Sequence, residues 1–343
     1  MSKSRIPSLY LSALLLLFLF SGLTTSAQLQ TNTAALQKAS QQRTAQNKAL
    51  RTILLAKAKQ NNWPLTLRGK HGTMAVLRGI DKRGFPQYVT IVDNIISAAT
   101  IRTNTLQPGG SSGLNLTGSS ANMKGRIGIW DEGVVRPTHV ELVGRVVQED
   151  AADGDNVLSD HSTHVSGTMI ATGVNPVAKG MSPGALQLHA WDYNNDEAEM
   201  MAAASGTSGM LVSNHSYADI AGWYLDESNN DRWEFFGYPG DTVDIKFGQY
   251  DEDTQIWDSI AYNAPYYLIA KAAGNNPGDT GPAVGGDYWR MNASQNFYNA
   301  GARPAGISNN FTYETIPPSA MPRISWSSAP SIPFPGVIPA RLM

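Results

Sequence analysis

The fold is decided by a short apolar stretch, Arg-Ile-Gly-Ile-Trp-Asp at residues 126–131, and by three similar stretches that follow it. The three are residues 186–190 (LQLHA), 210–213 (MLVS) and 266–270 (YYLIA). Each is short and apolar, as buried strands are. Patterns typical of helices lie near residues 163–172, 196–207 and 253–263. This alternation predicts an α/β fold with a mostly parallel sheet and helices on both faces.

A smaller unit precedes this region. Residues 34–60 show apolar positions near helical spacing, and Trp63-Pro64 ends that predicted helix. Short strands are predicted at residues 74–77, 88–92 and 95–96, with glycine and proline between them. Residues 28–107 therefore read as a small α+β unit. The stretch PGGSSG at 108–113 reads as a linker.

Composition excludes several classes of protein. The 343 residues include 26 Lys+Arg and 28 Asp+Glu, with no basic block, which argues against nucleic acid as a partner. Cysteine is absent, so the printed chain has no disulfide, thiolate metal site or cysteine nucleophile. A content of 42% hydrophobic and 16% charged residues excludes a largely disordered chain.

The first 27 residues have the order of a secretory signal peptide. Lys3 and Arg5 precede an apolar run from Leu9 to Phe20, and small residues lead to a predicted cleavage after Ala27. A membrane anchor is the alternative, but the run is shorter than the ~20 residues that a spanning helix needs. We expect a secreted or periplasmic protein that has no membrane contact after cleavage.

Three polar segments follow predicted secondary-structure elements. Asp131 ends the first strand and is followed two residues later by Gly133. The stretch HSTHVSGT opens a helix at residues 161–168, and AAGNN follows a strand at residues 272–276. Active groups in parallel α/β sheets gather at the carboxyl ends of the strands. Each segment alone is weak, because such residues usually form caps and turns.

Together, in this order and spacing, the segments resemble the subtilisin-like serine peptidases, the subtilases, over residues 124–316. The resemblance implies Asp131 as the triad acid, His164 as the base and Asn275 as the oxyanion donor. It also implies that four residues hold an extended polypeptide substrate, namely Ser216, Tyr217, Ala273 and Gly274. It implies a three-layer catalytic domain over residues 108–319, and a pro-region at 28–107 that covers the cleft. The implied chemistry requires no cofactor.

The resemblance does not extend to the serine nucleophile. Nothing after Asn275 matches the family's Gly–Thr–Ser–Met motif, and Ser208 within GTSGM precedes Asn275. We therefore expect an incomplete catalytic domain that is inactive or nearly so. Residues 320–343 are rich in proline and serine, and we interpret them as a tail read in a shifted frame. A natural tail of that composition is the alternative.

Other interpretations remain open at this stage. The chain could be a pseudo-peptidase that binds peptides or a protease without cutting them. His161 and His164 are three residues apart, which makes zinc conceivable, although the helix lacks a third ligand at helical spacing. Four acids could hold structural calcium or form only a solvated loop, namely Asp150, Asp153, Asp155 and Asp160. The sequence fixes neither side-chain preference nor oligomeric state.

Overall fold

The computed structural model describes residues 30–68, 74–91, 98, 101–150, 157–207, 209–275 and 279–308. The chain from Thr31 onward forms one compact unit. Four features predicted above lie wholly outside the described residues: the signal peptide, the strand at 95–96, Ser208 and the tail from residue 320.

A five-stranded sheet forms the centre of the fold, in the order β11-β7-β4-β6-β5. Every strand pair in it is parallel, so the predicted parallel sheet is confirmed. Its strands are β4 (Ile127–Asp131), β5 (Val146–Gln148), β6 (Leu188–Asp192), β7 (Val212–His215) and β11 (Leu268–Lys271). The predicted strands start up to two residues early, and β5 was not predicted.

In the part of the chain that the structure describes, five helices connect or flank the strands. They are α1 (Thr33–Asn61), α2 (Thr103–Leu106), α3 (Asp160–Ile170), α4 (Asp196–Ser205) and α5 (Glu252–Asn263). Short 3-10 turns lie at Ala121–Met123, Pro176–Ala178, Tyr193–Asn195 and Glu227–Asn229. Side-chain caps hold three of the helix starts, and the first is Asn32 before α1, which accepts from the backbone N–H of Ala35 at 3.2 Å. Ser159 accepts from the backbone N–H of Ser162 at 3.1 Å, and Asp251 accepts from Thr254 at 2.9 Å.

Helices cover both faces of the parallel sheet. On one face Ile127 and Ile129 belong to a buried cluster with Val165 of α3. On the other face Trp130 is buried in a cluster with Met200 of α4 and Trp257 of α5. Successive residues of β4 therefore pack in opposite directions, as the two-residue period of a strand requires. The prediction of helices on both faces is confirmed.

The N-terminal segment shares a sheet with the later chain. Strands β1 (Thr66–Arg68), β2 (Met74–Ile80) and β3 (Pro86–Ile91) form an antiparallel sheet that β8 (Tyr217–Asp219) completes. Helix α1 packs against α4. The N-terminal segment is thus docked on the α/β body, while its predicted boundary at residue 107 stays a prediction.

A second four-stranded sheet has the order β13-β12-β10-β9. Its strands are β9 (Trp223–Asp226), β10 (Arg232–Phe235), β12 (Asp287–Met291) and β13 (Phe297–Ala302). Its aromatic residues pack as a core, since Trp223 and Phe235 are buried together with Tyr288. Among the helices that the structure describes, none is both long and apolar enough to cross a membrane.

Candidate functional site

Asp131 is the last residue of β4, at the carboxyl edge of the parallel sheet. Its side chain is 2% exposed, and its Oδ1 accepts a hydrogen bond from the backbone N–H of Glu132 at 2.7 Å. A buried carboxylate needs such donors because an ionised carboxylate without partners costs far more to bury than a neutral polar group. The strand end therefore presents a fixed negative charge at the edge where the strands finish.

His161 is the imidazole that contacts this carboxylate. Its Nδ1 lies 2.5 Å from Asp131 Oδ1, and its side chain is 12% exposed. The position follows from the helix start: α3 begins at Asp160, behind the Ser159 cap, so His161 lies in its first turn. The first turn of a helix that follows a parallel strand lies near the carboxyl edge of the sheet.

His164, which the motif predicts as the base, has no contact with Asp131 among those that the structure shows. It is exposed and lies three residues further along α3. Three residues move a side chain by about 4.5 Å along the axis and about 60° around it. The contact with Asp131 that was expected for His164 is thus made by His161.

The turn after Asp131 is held in one conformation. The hydroxyl of Ser162 donates to the backbone carbonyl of Glu132. Gly133 has a φ of +64°, and a Cβ there would lie 2.8 Å from the carbonyl oxygen of Val157. Its N–H donates to Asp192 Oδ2 at 3.1 Å. Glycine at this position therefore allows the loop to pass closely enough to keep Asp131 in place.

Two further carboxyl groups surround the pair. Burial and the adjacent Asp131 raise the pKa of Glu132 to about 7, against the lowering effect of His161. Burial also raises the pKa of Asp192 to about 6, against the lowering effect of hydrogen bonds from Asn194 and Gly133. A proton held by Glu132 near neutral pH limits the negative charge that surrounds Asp131.

Asn275 lies on the same edge of the sheet as Asp131. It follows β11, which pairs in parallel with β7, and β7 pairs with β4. The N–H of Ala272 donates to the carbonyl of His215 at 3.0 Å, which extends the β7 pairing beyond Lys271. Two strand spacings of about 4.8 Å separate β11 from β4. Ala273 is exposed and Gly274 has a φ of +93°, so the loop turns sharply before Asn275.

Ser216 and Tyr217 lie where β7 passes into β8. The hydroxyl of Ser216 accepts from the Asn214 amide at 2.8 Å, and Ser216 is 6% exposed. The Tyr217 side chain points into the protein, where its hydroxyl donates to Asp196 at 2.6 Å. Its backbone belongs to the β8 edge, which β3 already covers in antiparallel register with Ile91 opposite Tyr217.

A buried chain of hydrogen bonds runs behind this edge, and no motif in the sequence predicts it. His215 is fully buried, with its Nε2 at 2.7 Å from Ser213 Oγ and its Nδ1 at 2.9 Å from the Tyr217 hydroxyl. The hydroxyl of Tyr267 donates to Ser213 at 2.7 Å. Burial holds the pKa of His215 well below its usual value, aided by the positive charge of Lys271. His215 is therefore a neutral core residue.

Metal ligands do not gather in the part of the chain that the structure describes. No group of three His, Cys, Asp or Glu side chains there could hold a metal ion. Asp150 accepts hydrogen bonds from Gln148 at 2.9 Å and from the Asp192 backbone at 2.5 Å. Asp153 and Asp155 lie outside the described residues, so the calcium prediction stays open.

Comparison with family models and with curated proteins does not place the chain in a family. No family model matches the chain, and no curated protein matches it.

Proposed function

We propose that this chain is a subtilisin-like serine-type endopeptidase by descent, with His161 as the base beside Asp131. The observation that carries the proposal is the 2.5 Å contact between His161 Nδ1 and the buried Asp131 carboxylate at the carboxyl edge of a parallel sheet. The substrate class is a polypeptide in extended conformation.

The geometry suits proton transfer. An Nδ1–H that donates to Asp131 fixes the imidazole tautomer and leaves Nε2 as the basic nitrogen. The nearly complete burial of Asp131 keeps its charge unscreened, so it stabilises the imidazolium that forms when the base takes a proton. His161 would accept the proton of a hydroxyl nucleophile in this arrangement, and His164 would have no role in the chemistry.

Asn275 has the role of oxyanion donor in the proposal. Its place on the same edge, two strands from Asp131, is compatible with a reacting carbonyl between them. Removing one oxyanion donor costs about 3–4 kcal/mol of transition-state stabilisation in sites of this kind. The backbone of β8 would bind the peptide by main-chain hydrogen bonds, in the manner that β3 pairs with it.

The printed sequence supplies no motif for the nucleophile after Asn275, so we expect these 343 residues to hydrolyse peptides feebly or not at all. Binding and oxyanion stabilisation alone leave only a small fraction of the rate of a full triad. A purified chain that cleaves casein and loses that activity on Ser208→Ala would contradict this expectation.

The decisive experiment is to sequence the genomic DNA from codon 300 to several hundred bases past the stop codon. A shifted frame that continues with a strand pattern and then Gly–Thr–Ser, a small residue and proline would support the peptidase. Absence of that motif in every downstream frame would contradict it.

A second candidate is a non-catalytic binder of extended peptides. The observation that favours it is the seating of β3 on β8 by antiparallel pairing, with the N–H of Ile220 donating to the Tyr88 carbonyl at 2.5 Å. A product that melts cooperatively and has no turnover would favour the binder. A product that aggregates would favour an interrupted peptidase.

A further inference from the structure

A cluster of charged side chains, most of them largely buried, lies where the N-terminal segment meets the α/β body. Arg43 of α1 contacts Glu197 of α4 at 2.7 Å, and its other nitrogens lie 3.5 Å from Asp253 and 3.4 Å from Glu252 of α5. Arg78 of β2 contacts both oxygens of Asp196, at 2.8 and 2.9 Å. These contacts join the segment to the body through guanidinium groups on one side and carboxylates on the other.

The carboxylates are covered because the segment is docked. The side chains of Asp196 and Glu197 are each 2% exposed, and those of Arg43 and Arg78 are each 15% exposed. The same residues line a cavity of about 200 Å³ between α1, β2, β3 and the body. The edge strand β8 lies beside it, since Asp219 pairs with Val89 of β3. The charge cluster and the pairing of β3 with β8 therefore belong to one contact surface. We call it the seam: α1, β2 and β3 form one side, and α4, β8 and the start of α5 form the other.

The charges at the seam do not balance. Four cations face it: Arg43 and Arg51 from α1, Arg78 from β2 and Lys271 from β11. Six carboxyl groups face it: Asp196 and Glu197 from α4, Asp219 from β8, and Asp251, Glu252 and Asp253 at the start of α5. The Glu252 side chain is 62% exposed, so five of the six are poorly solvated. An excess carboxylate inside a poorly solvated seam is costly unless it takes up a proton.

We propose that this seam is a proton-dependent latch, in which the N-terminal segment seats on β8 with one carboxyl group of the cluster protonated and loosens as the pH rises from 5 to 7. The latch would regulate access to the β8 edge, and in that respect it rests on the proposed function. Its physical basis, the coupling of docking to proton uptake, is independent of catalysis.

Two groups have the electrostatics that the latch requires. Burial raises the pKa of Glu197 well above its usual value, and the nearby Asp253 and Asp196 raise it further, against the lowering effect of Arg43. Its Oε1 is buried without a hydrogen-bond partner among the described residues. Burial raises the pKa of Asp253 to about 6.

The direction of the effect follows from linkage. Docking raises the pKa of these carboxyl groups above their ordinary values, so docking takes up protons. The stabilisation is complete below the ordinary carboxyl pKa and is lost as the pH rises through the raised one. Each proton taken up changes the docking equilibrium by about tenfold per pH unit. Lys271, whose pKa burial lowers to about 7, titrates above this window and sets its upper limit.

Hydrogen exchange of the full chain at pH 5, 6 and 7 tests the latch. Protection factors for peptides that cover β3 and β8 are compared with those for β6, which lies in the central sheet. We expect protection of β3 and β8 to fall by about tenfold per pH unit while that of β6 is unchanged. Equal protection of β3 and β8 at all three pH values would overturn the proposal.

Variants test whether the pH dependence of protection arises from the charge cluster at the seam. Glu197→Gln leaves four cations and four poorly solvated carboxyl groups at the seam. We therefore expect β3 and β8 to stay protected from hydrogen exchange at pH 7. Arg78→Gln should lower their protection at every pH, and Lys48→Gln, an exposed position on α1, is the matched control with wild-type behaviour. A wild-type pH slope in Glu197→Gln would contradict the latch even if Arg78→Gln failed to fold.

The same samples separate this proposal from the proposed function. A far-downfield proton resonance from the His161–Asp131 hydrogen bond reports on the site and not on the seam. If that resonance is present and β3 protection does not depend on pH, only the latch fails. If the resonance is absent and the pH dependence is present, only the assignment of the site fails.

Discussion

Two histidines lie close to neighbouring residues of β4 and have opposite characters. His161 contacts Asp131, is 12% exposed and lies at the carboxyl edge of the sheet. His215 stacks on Trp130 with ring centroids 5.1 Å apart, and it is fully buried between two hydroxyl groups. Trp130 and Asp131 are consecutive residues of a strand, so their side chains leave the sheet in opposite directions.

A hydrogen bond between a serine and a histidine does not by itself define a catalytic site. Ser213 Oγ and His215 Nε2 are 2.7 Å apart, yet both residues are fully buried, and no carboxylate among the described residues hydrogen-bonds to the imidazole. His161 has the features that His215 lacks, namely a buried carboxylate partner and a position on the edge where the strands end. Under the proposed function His161 is therefore the histidine with a chemical role, whereas His215 is a residue of the core.

The largest expected effect on stability comes from substituting the buried His215. His215→Ala removes a stacked ring and one hydrogen-bond partner from each of the Ser213 and Tyr217 hydroxyls. Each hydroxyl keeps one other partner. We expect a loss of about 3–5 kcal/mol in the free energy of unfolding, by analogy with large-to-small changes in cores. Urea unfolding followed by tryptophan fluorescence measures it. A loss under about 1 kcal/mol would show that the ring is not packed as described.

A smaller effect on stability is expected at His161. His161→Gln removes one partner of the buried Asp131 carboxylate and should cost about 1–3 kcal/mol in the same urea experiment. His164→Gln is the matched control on the same helix, and its cost should stay within about 0.5 kcal/mol because the side chain is exposed. Equal losses in the two variants would remove the distinction between these histidines.

The smallest effect concerns pH. The pKa of Glu132 is raised to about 7 from an ordinary value of 4.5, so its stabilising contribution is complete below about pH 4.5 and is lost as the pH rises through 7. We expect the wild-type chain to lose stability over this window more steeply than Glu132→Gln does. Urea midpoints at intervals from pH 4.5 to 7.5 measure the difference, with the exposed Glu227→Gln as control. Parallel curves for wild type and Glu132→Gln would contradict the raised pKa.

Much of the fold could be predicted from strand and helix periodicity. The four apolar stretches became strands of one parallel sheet, because each alternates with a helix that covers a face of it. Strand β5 escaped prediction because Val146–Gln148 is only three residues long. Its position at the edge of the sheet depends on pairing with β6, which no local pattern encodes.

The site was harder to predict than the fold. The position of Asp131 at a strand end was readable from sequence, and so was the helix start near residue 160. The motif led us to choose His164 of two histidines three residues apart, whereas the structure places His161 against Asp131. One signal for His161 was present, because it lies nearer the helix start that Ser159 caps. The chain from Ser213 to Asp196 joins β7, β8 and α4 by side-chain hydrogen bonds, and Tyr267 joins it from just before β11. It therefore depends on tertiary structure alone.

The most direct test of the central claim is proton NMR of the full chain in the far-downfield region, with wild type, His161→Gln and His164→Gln compared at the same pH. The assignment of His161 to the Asp131 carboxylate predicts a resonance that persists in His164→Gln and vanishes in His161→Gln. A resonance that vanishes in His164→Gln and persists in His161→Gln would contradict the assignment, and with it the base in the proposed function.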